Sequence, residues 1–273
     1  MSLSNLLVHL NGDARSAARL ELAVALARRT GARPVGLFSQ LAPAHQVGLV
    51  SDWPPAEYKA AAEASRAGFA EATQGLDAEW KDLNRGAEEE IVLQLIDFAR
   101  HFDLVLLGQP RGEDALTPPD LAERVIVNSG RPVLVLPYAG DFTDVGARPI
   151  FAWSDSRASA RGFSDGVMLT PASAEALVVG LSKPEDAAGF AYQKESLNLA
   201  VAQLAAHKIS ARSEQLALSE IGLMDALLNR ASDHGADLLA IGAFGGGGYP
   251  LFSRGSGSRY MLKHMTLPVL FSH

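Results

Sequence analysis

The chain has 273 residues, with 24 Lys and Arg against 31 Asp and Glu, a formal net charge of −7, 48% hydrophobic residues and no cysteine. The acidic balance disfavours a broad phosphate-neutralising surface for nucleic acid. The lack of cysteine excludes disulfides and thiolate metal sites and suits a reducing compartment. The length fits one large or two ordinary domains. The opening MSLSNLLVHLNG has neither the basic start nor the apolar run of a signal peptide. No stretch approaches the roughly 18 apolar residues of a membrane span. The expectation is a cytoplasmic α/β protein without membrane contact.

In chain order, Leu6–Leu10 reads as a strand and Ala14–Arg29 as a helix rich in Ala, Leu and Arg, with Gly31 in the cap position. Pro34–Ser39 is a second strand. Ala56–Gln74 is a second helix, with Pro55 before its first turn. Glu88-Glu89-Glu90 before IVLQLI reads as the charged first turn of another helix, favourable to its dipole. FDLVLLG (102–108) and RPVLVLP (131–137) are short buried strands. The later elements are Ile150–Trp153, Ser156–Leu169, Ala176–Leu181, about Asp186–Ala206, Ile209–Leu216, Ile221 to about His234, Leu238–Ile241, a helix after Ser256, and Val269–Phe271. Short apolar strands alternating with helices predict a parallel sheet covered on both faces.

The order of elements repeats. LLVHLNGDARSAARLELAVALA (6–27) matches PIFAWSDSRASARGFSDGVMLT (149–170), FDLVLLG matches ADLLAIG (236–242), and RPVLVLP matches LPVLFSH (267–273). The offsets are 143 (6 to 149), 134 (102 to 236) and 136 (131 to 267). Near-constant offsets in matching order argue for duplication. Two α/β domains are expected, 1–140 and 147–273, joined through the small, polar, aperiodic Ala139–Arg148.

One loop has the makings of a binding site. Gly242-Ala-Phe-Gly245 ends a buried-looking strand, and Gly255-Ser256-Gly257-Ser258 opens a helix. Ligands of open parallel sheets bind beyond the carboxyl ends of strands. Bare glycine backbone admits a sugar or phosphate, free N–H groups at a helix start attract anions, and Ser256, Ser258 and Arg254 add donors and charge. A flexible glycine loop with Ser256 as an N-cap would explain the same residues without a ligand.

Gly242-x-x-Gly245, nine residues, then Gly255-Ser256, framed by ADLLAIG and a final Pro-Val-Leu strand, resembles the nucleotide-binding signature of the universal stress proteins. The resemblance covers the chain twice. It implies two tandem doubly wound domains of the adenine nucleotide alpha hydrolase-like kind, forming a pseudo-twofold pair within one chain, as a monomer or a homodimer. It implies ATP or another adenine nucleotide, with or without Mg²⁺, held by Gly242, Gly245, Arg254, Gly255, Ser256, Gly257 and Ser258. Ser154 falls where the family carries an acidic residue near the adenosine, with Asp155 one place later, and Leu181 falls where the backbone meets adenine. Asp155 reads equally as a helix cap. The first copy departs from the pattern: Arg111 replaces the second glycine, no Gly-Ser pair precedes Leu121, and Glu113, Asp114 and Asp120 repel phosphate. It is expected not to bind ATP.

No Gly-x-Ser-x-Gly elbow, His-Glu-x-x-His or Walker loop is present. The seven histidines show no metal-ligand spacing, and His9 and Trp153 lie in first strands, where packing is the expected role. Trp53-Pro54-Pro55 suggests a structured loop over the first copy, and a pocket rim is its alternative reading. No catalytic residue and no metal site is assigned. The leading expectation is a stress-response or regulatory protein that retains ATP. A slow Mg²⁺-dependent ATPase using Asp155 and a protein-binding scaffold without nucleotide are the alternatives.

Overall fold

The computed structural model describes residues 3–43, 45–47, 50–110, 116–182, 187–217, 222–245 and 255–273. Arg111, Glu113, Asp114, Gly246–Gly248 and Arg254 therefore lie outside the described residues. The chain forms two compact units, Ser2–Thr143 and Asp144–His273.

The N-terminal unit runs β1 (Asn5–Leu10), α1 (Ser16–Thr30), β2 (Arg33–Phe38), a hairpin of β3 (His45–Val47) and β4 (Val50–Asp52), α2 (Ala56–Ala72), β5 (Glu79–Asp82), α3 (Glu88–Ala99), β6 (Leu104–Gly108), α4 (Leu121–Asn128) and β7 (Val133–Leu136). Its main sheet is parallel, in the order β5-β2-β1-β6-β7. The chain steps outward in one direction from β1 and then, after returning, in the other. Right-handed crossovers consequently place α1 and α2 on one face and α3 and α4 on the other. With helices on both faces, the inner strands read as continuous apolar runs: Leu6, Leu7 and Val8 of β1 and Leu104, Val105 and Leu106 of β6 are all buried. Gly31 ends α1 in the left-handed conformation, its N–H donating to Ala27 O at 2.8 Å.

The C-terminal unit repeats this with β8 (Pro149–Trp153), α5 (Arg157–Leu169), β9 (Glu175–Ser182), α6 (Ala187–Ala206), β10 (Ser210–Ala217), α7 (Leu223–His234), β11 (Leu238–Gly242), α8 (Ser256–His264) and β12 (Val269–Ser272). Its parallel order is β10-β9-β8-β11-β12. Helix α5 lies close upon the sheet because Gly162 and Gly166, one turn apart, present no side chain there. A Cβ at Gly162 would stand 2.6 Å from Ile241 C, and one at Gly166 would stand 2.6 Å from the Phe151 ring.

Two features of the N-terminal unit were not read from sequence. The edge strand β5, Glu-Trp-Lys-Asp, is polar and not fully buried, and it is held by pairing to β2 and by the Arg33–Glu79 ion pair at 2.7 Å. The β3–β4 hairpin is too short to show a period. Trp53 fastens its loop down: Nε1 donates to Asn84 O at 3.0 Å and to Asn84 Oδ1 at 2.9 Å, the ring packs on Tyr58, and it lies over Gly86.

His9 is buried at 2% exposure, its Nε2 lying 3.1 Å from the Ser39 carbonyl and 3.0 Å from the Ser39 hydroxyl. Burial, and after it the neighbouring Arg19 charge, lower its pKa from 6.5 to about 3. Below pH 6.5 the unfolded chain takes up a proton that the folded chain refuses until about pH 3. The stabilising difference is thus full above 6.5 and shrinks by about 1.4 kcal/mol per pH unit on acidification. Urea unfolding at several pH values should show the N-terminal unit losing about 2 kcal/mol between pH 6.5 and 5 from this group, and His9→Gln should flatten that slope. Equal slopes in the two proteins would contradict the assignment.

Candidate functional site

The carboxyl edge of the C-terminal unit is built where β8 has β9 on one side and β11 on the other, the point at which the winding direction reverses. At the end of β8 the chain is tied by hydroxyls. Ser154 N–H donates to Ser159 Oγ at 3.0 Å, Ser159 Oγ donates to Ala152 O at 3.2 Å, and Ser156 caps α5 by accepting from Ser159 N–H at 3.2 Å. Ser154 and Ser156 share a hydroxyl hydrogen bond at 3.1 Å. Asp155 is exposed and turns towards α6, where its carboxylate accepts from Ser196 Oγ. The same oxygen of Ser196 accepts from Trp153 Nε1 at 2.8 Å. Asp155 is therefore not the N-cap of α5; Ser156 is. Leu181 lies near the end of β9, opposite Leu216 of β10 and one residue past the last β8 pairing, Trp153 with Gly180.

On the other side, β11 leaves the sheet through Gly242, Ala243, Phe244 and Gly245. Ala243 is held from both directions: its N–H donates to Ser272 O at 2.7 Å, and its carbonyl accepts from His273 Nδ1 at 2.9 Å. Phe244 takes a positive φ of 51°, and its N–H donates to Ser258 Oγ at 2.9 Å. Gly255 precedes α8 at φ 81°, a left-handed conformation in which a Cβ would also stand 2.6 Å from the Phe244 ring. Among the described residues, Ser256 Oγ and Ser272 Oγ are buried and have no hydrogen-bond partner. Gly257 sits near Met224.

The bare backbone at Gly242 and Gly245 is already in close contact. A Cβ at Gly242 would stand 2.3 Å from Ala158 C and 2.5 Å from Ser159 N, and one at Gly245 would stand 2.9 Å from Ala158 Cβ. The first turn of α5 thus lies against the glycine turn, and these two glycines have a packing reason of their own. Gly242, Gly245, Gly255, Ser256 and Ser258 come together at one end of β11 and α8, bound by the Phe244–Ser258 hydrogen bond. Ser154 belongs to the α5 side of that edge, and Asp155 is directed to α6. Sequence reading missed Ala158, Ser159 and Ser196. A signal existed for Ser159, because the offset of 143 aligns it with Ser16.

The N-terminal unit uses the same latch, with Asn11 N–H donating to Ser16 Oγ at 2.9 Å, but fills the space beyond it differently. Arg19, aligned with Gly162, is 3% exposed. It donates from Nε to His9 O at 3.0 Å and from Nη2 to Asn11 Oδ1 at 2.7 Å and Ser16 Oγ at 3.0 Å. Its ion pair with Asp13 is 3.4 Å long. Burial raises the Asp13 pKa, but Arg19, Asn11 and the Arg15 N–H together bring it below the ordinary value. The guanidinium lies on Gly108, where a Cβ would be 2.7 Å from Nη1. The cavity left among Arg15, Arg19, Gln109, Thr117 and Tyr138 is about 30 Å³, room for a water or two.

No protein-family model matches the sequence. No curated protein matches it. Solved structures do match. A universal stress protein from Archaeoglobus fulgidus DSM 4304 aligns with a TM-score of 0.68 over 98% of this chain and 97% of that one, at 16% identity. A functionally unknown protein from Pseudomonas aeruginosa PAO1 aligns with a TM-score of 0.62 over 99% of this chain and 92% of that one, at 15% identity. At such identities the likeness is one of fold, and the chain has the universal stress protein fold over its whole length. Among the described residues no helix is long and apolar enough to cross a membrane, and no three His, Asp or Glu side chains gather as metal ligands do.

The close seat of α5 is open to test. Gly162→Ala places a methyl 2.6 Å from backbone and should lower stability by about 1–3 kcal/mol. Gly68→Ala, where a Cβ meets nothing within 4 Å, should leave stability unchanged or raise it by up to about 1 kcal/mol. Urea midpoints of the two variants measure this.

Proposed function

We propose that the chain is a tandem universal stress protein that retains one adenine nucleotide, ATP with or without Mg²⁺, at the carboxyl edge of its C-terminal unit, and serves as a stress-response or regulatory protein. The observation that carries the reading is Ser256 Oγ, buried without a partner in the first turn of α8 beside the left-handed Gly255. A buried hydroxyl without a partner costs about 1–3 kcal/mol. Here it stands beside the free N–H groups of a nine-residue helix, which favour negative charge. An anionic ligand would satisfy both.

In this reading the α8 mouth with Ser256, Gly257 and Ser258 holds the phosphates. The Gly242–Gly245 turn lies beside the sugar, and the strand ends at Ser154 and Leu181 lie towards the base. The bound nucleotide supplies a charged, Mg²⁺-binding polyphosphate whose presence or absence is the signal. Asp155 is engaged with Ser196, which favours retention over turnover. In the N-terminal unit, Arg19 and the cavity of about 30 Å³ speak against a second nucleotide.

Chromatography of small molecules released from freshly purified, denatured protein, with calorimetry using Mg-ATP and AMP, is the test. One adenine nucleotide per chain is expected. Gly255→Asp, which puts a side chain at φ 81° and a carboxylate at the helix mouth, should abolish binding while the far-ultraviolet circular dichroism stays unchanged. Ser256→Ala should weaken binding by about 5- to 15-fold, the value of one hydrogen bond. Two nucleotides per chain, or Gly255→Asp binding normally, would overturn the proposal.

A further inference from the structure

The outer edge of the C-terminal sheet is β10, which among the described residues pairs with β9 alone. Parallel pairing with β9 uses every second N–H and C=O of the strand, and the others point away from the sheet. Such an edge is a template for another strand, and proteins blunt theirs by shortening them, bulging them or inserting proline. None of these devices is present here. β10 has eight residues, Ser-Ala-Arg-Ser-Glu-Gln-Leu-Ala, and its register with β9 is unbroken from Ser210–Glu175 to Ala217–Ser182.

The charges say which strand fits. Arg212 and Glu214, two residues apart, share the face on which Arg230 of α7 holds the Glu214 carboxylate, from Nε at 2.9 Å and Nη2 at 2.8 Å. Arg212 is 60% exposed and comes no nearer than 3.7 Å to that carboxylate. Suppose a second copy of β10 lies antiparallel along the edge, with a twofold axis perpendicular to the sheet. Directly opposed residues then share a face, so the axis must pass through a residue. Through Ser213, near the middle of the strand, it sets Arg212 of each copy opposite the partner's Glu214, two cross-strand ion pairs. Through Arg212 or Glu214 it would set like charges opposite each other, which destabilises. The strand is thus complementary to itself in one central register.

The spacing of the layer above agrees. Helix α6 packs on both β9 and β10. With strands about 4.8 Å apart, two copies of α6 related by that axis would stand about 10 Å apart, the distance of packed helices. Phe190, 42% exposed, lies on the β10 side of α6, its carbonyl accepting from Gln215 Nε2 at 2.9 Å. It is about 120° round the helix from Ser196, which faces Trp153 of β8. Its ring therefore borders the strip that a second α6 would cover.

From these features we infer that β10 is a self-pairing edge: two copies of the chain join antiparallel along it about a twofold axis through Ser213, each Arg212 opposite the partner's Glu214. The contact is isologous and closes at the dimer. The inference does not depend on nucleotide binding by the C-terminal unit.

Sedimentation of the full chain from micromolar to hundreds of micromolar concentration should show a reversible monomer–dimer equilibrium. Arg212→Glu turns both cross-strand attractions into repulsions and should weaken the dimer by about tenfold or more, with the far-ultraviolet circular dichroism unchanged. The chain has no cysteine, so Ser213→Cys places a single thiol on the axis, where opposed Cβ atoms stand about 4.5–5.5 Å apart, close enough for a disulfide after a small shift. Ser210→Cys, three residues off the axis, would lie about 20 Å from its own copy. Under mild oxidation Ser213→Cys should form a covalent dimer at least about tenfold faster than Ser210→Cys. A monomer at every concentration, a dimer that Arg212→Glu leaves as tight, or equal cross-linking by the two cysteine variants would overturn the inference.

Discussion

The carboxyl edge of the C-terminal unit depends on the contact of α5 with bare backbone at Gly242. Ala158 and Ser159 reach to within 2.5 Å of where a side chain would begin, so position 242 tolerates none. That contact aligns the first turn of α5 with the β11 exit and places Ser159 where its hydroxyl can bridge Ser154 N–H and Ala152 O. Gly162 extends the same approach one turn further along the helix. The glycines of the binding signature are consequently structural before they are anything else. On the far side of the turn, Gly255 and Ser256 begin α8.

The two units share their latch and differ in what lies above it. Ser16 and Ser159 make the same hydrogen bond to the end of the first strand. Three residues further on, one unit has Arg19 and the other Gly162. A guanidinium at that height joins His9, Asn11, Asp13 and Ser16 into one buried polar network. A glycine allows the helix down onto the sheet. A single position thus separates an edge whose crevice a guanidinium fills from one where the helix lies directly on the sheet.

Most of the fold was legible because both faces of each sheet are covered, which makes the inner strands short apolar runs, and because the duplication supplied most elements twice, the β3–β4 hairpin having no counterpart among the described residues of the C-terminal unit. Polar β5 and the three-residue strands of the hairpin carry no such signal, since an edge strand is held by pairing and by pairs such as Arg33–Glu79. At the site, the glycine positions were readable as places where backbone must be approached. Sequence could not say by what, and for Gly242 the structure answers with α5. Asp155 was ambiguous between cap and ligand, because nothing local reveals that Ser196, forty-one residues later, would take its carboxylate. Arg19 was one of the arginines in a helix rich in Ala, Leu and Arg, and its burial depends on a ring of acceptors that only the tertiary structure brings together.

The bond from Trp153 through Ser196 to Asp155 has an optical consequence. Indole emission responds to the polarity and hydrogen bonding around its nitrogen, and Trp153 is the one tryptophan of the C-terminal unit, Trp53 and Trp80 belonging to the other. Replacing those two with phenylalanine would leave a single native fluorophore wired to the carboxylate at the end of β8. The protein would then report changes at that edge by its own light, without a label.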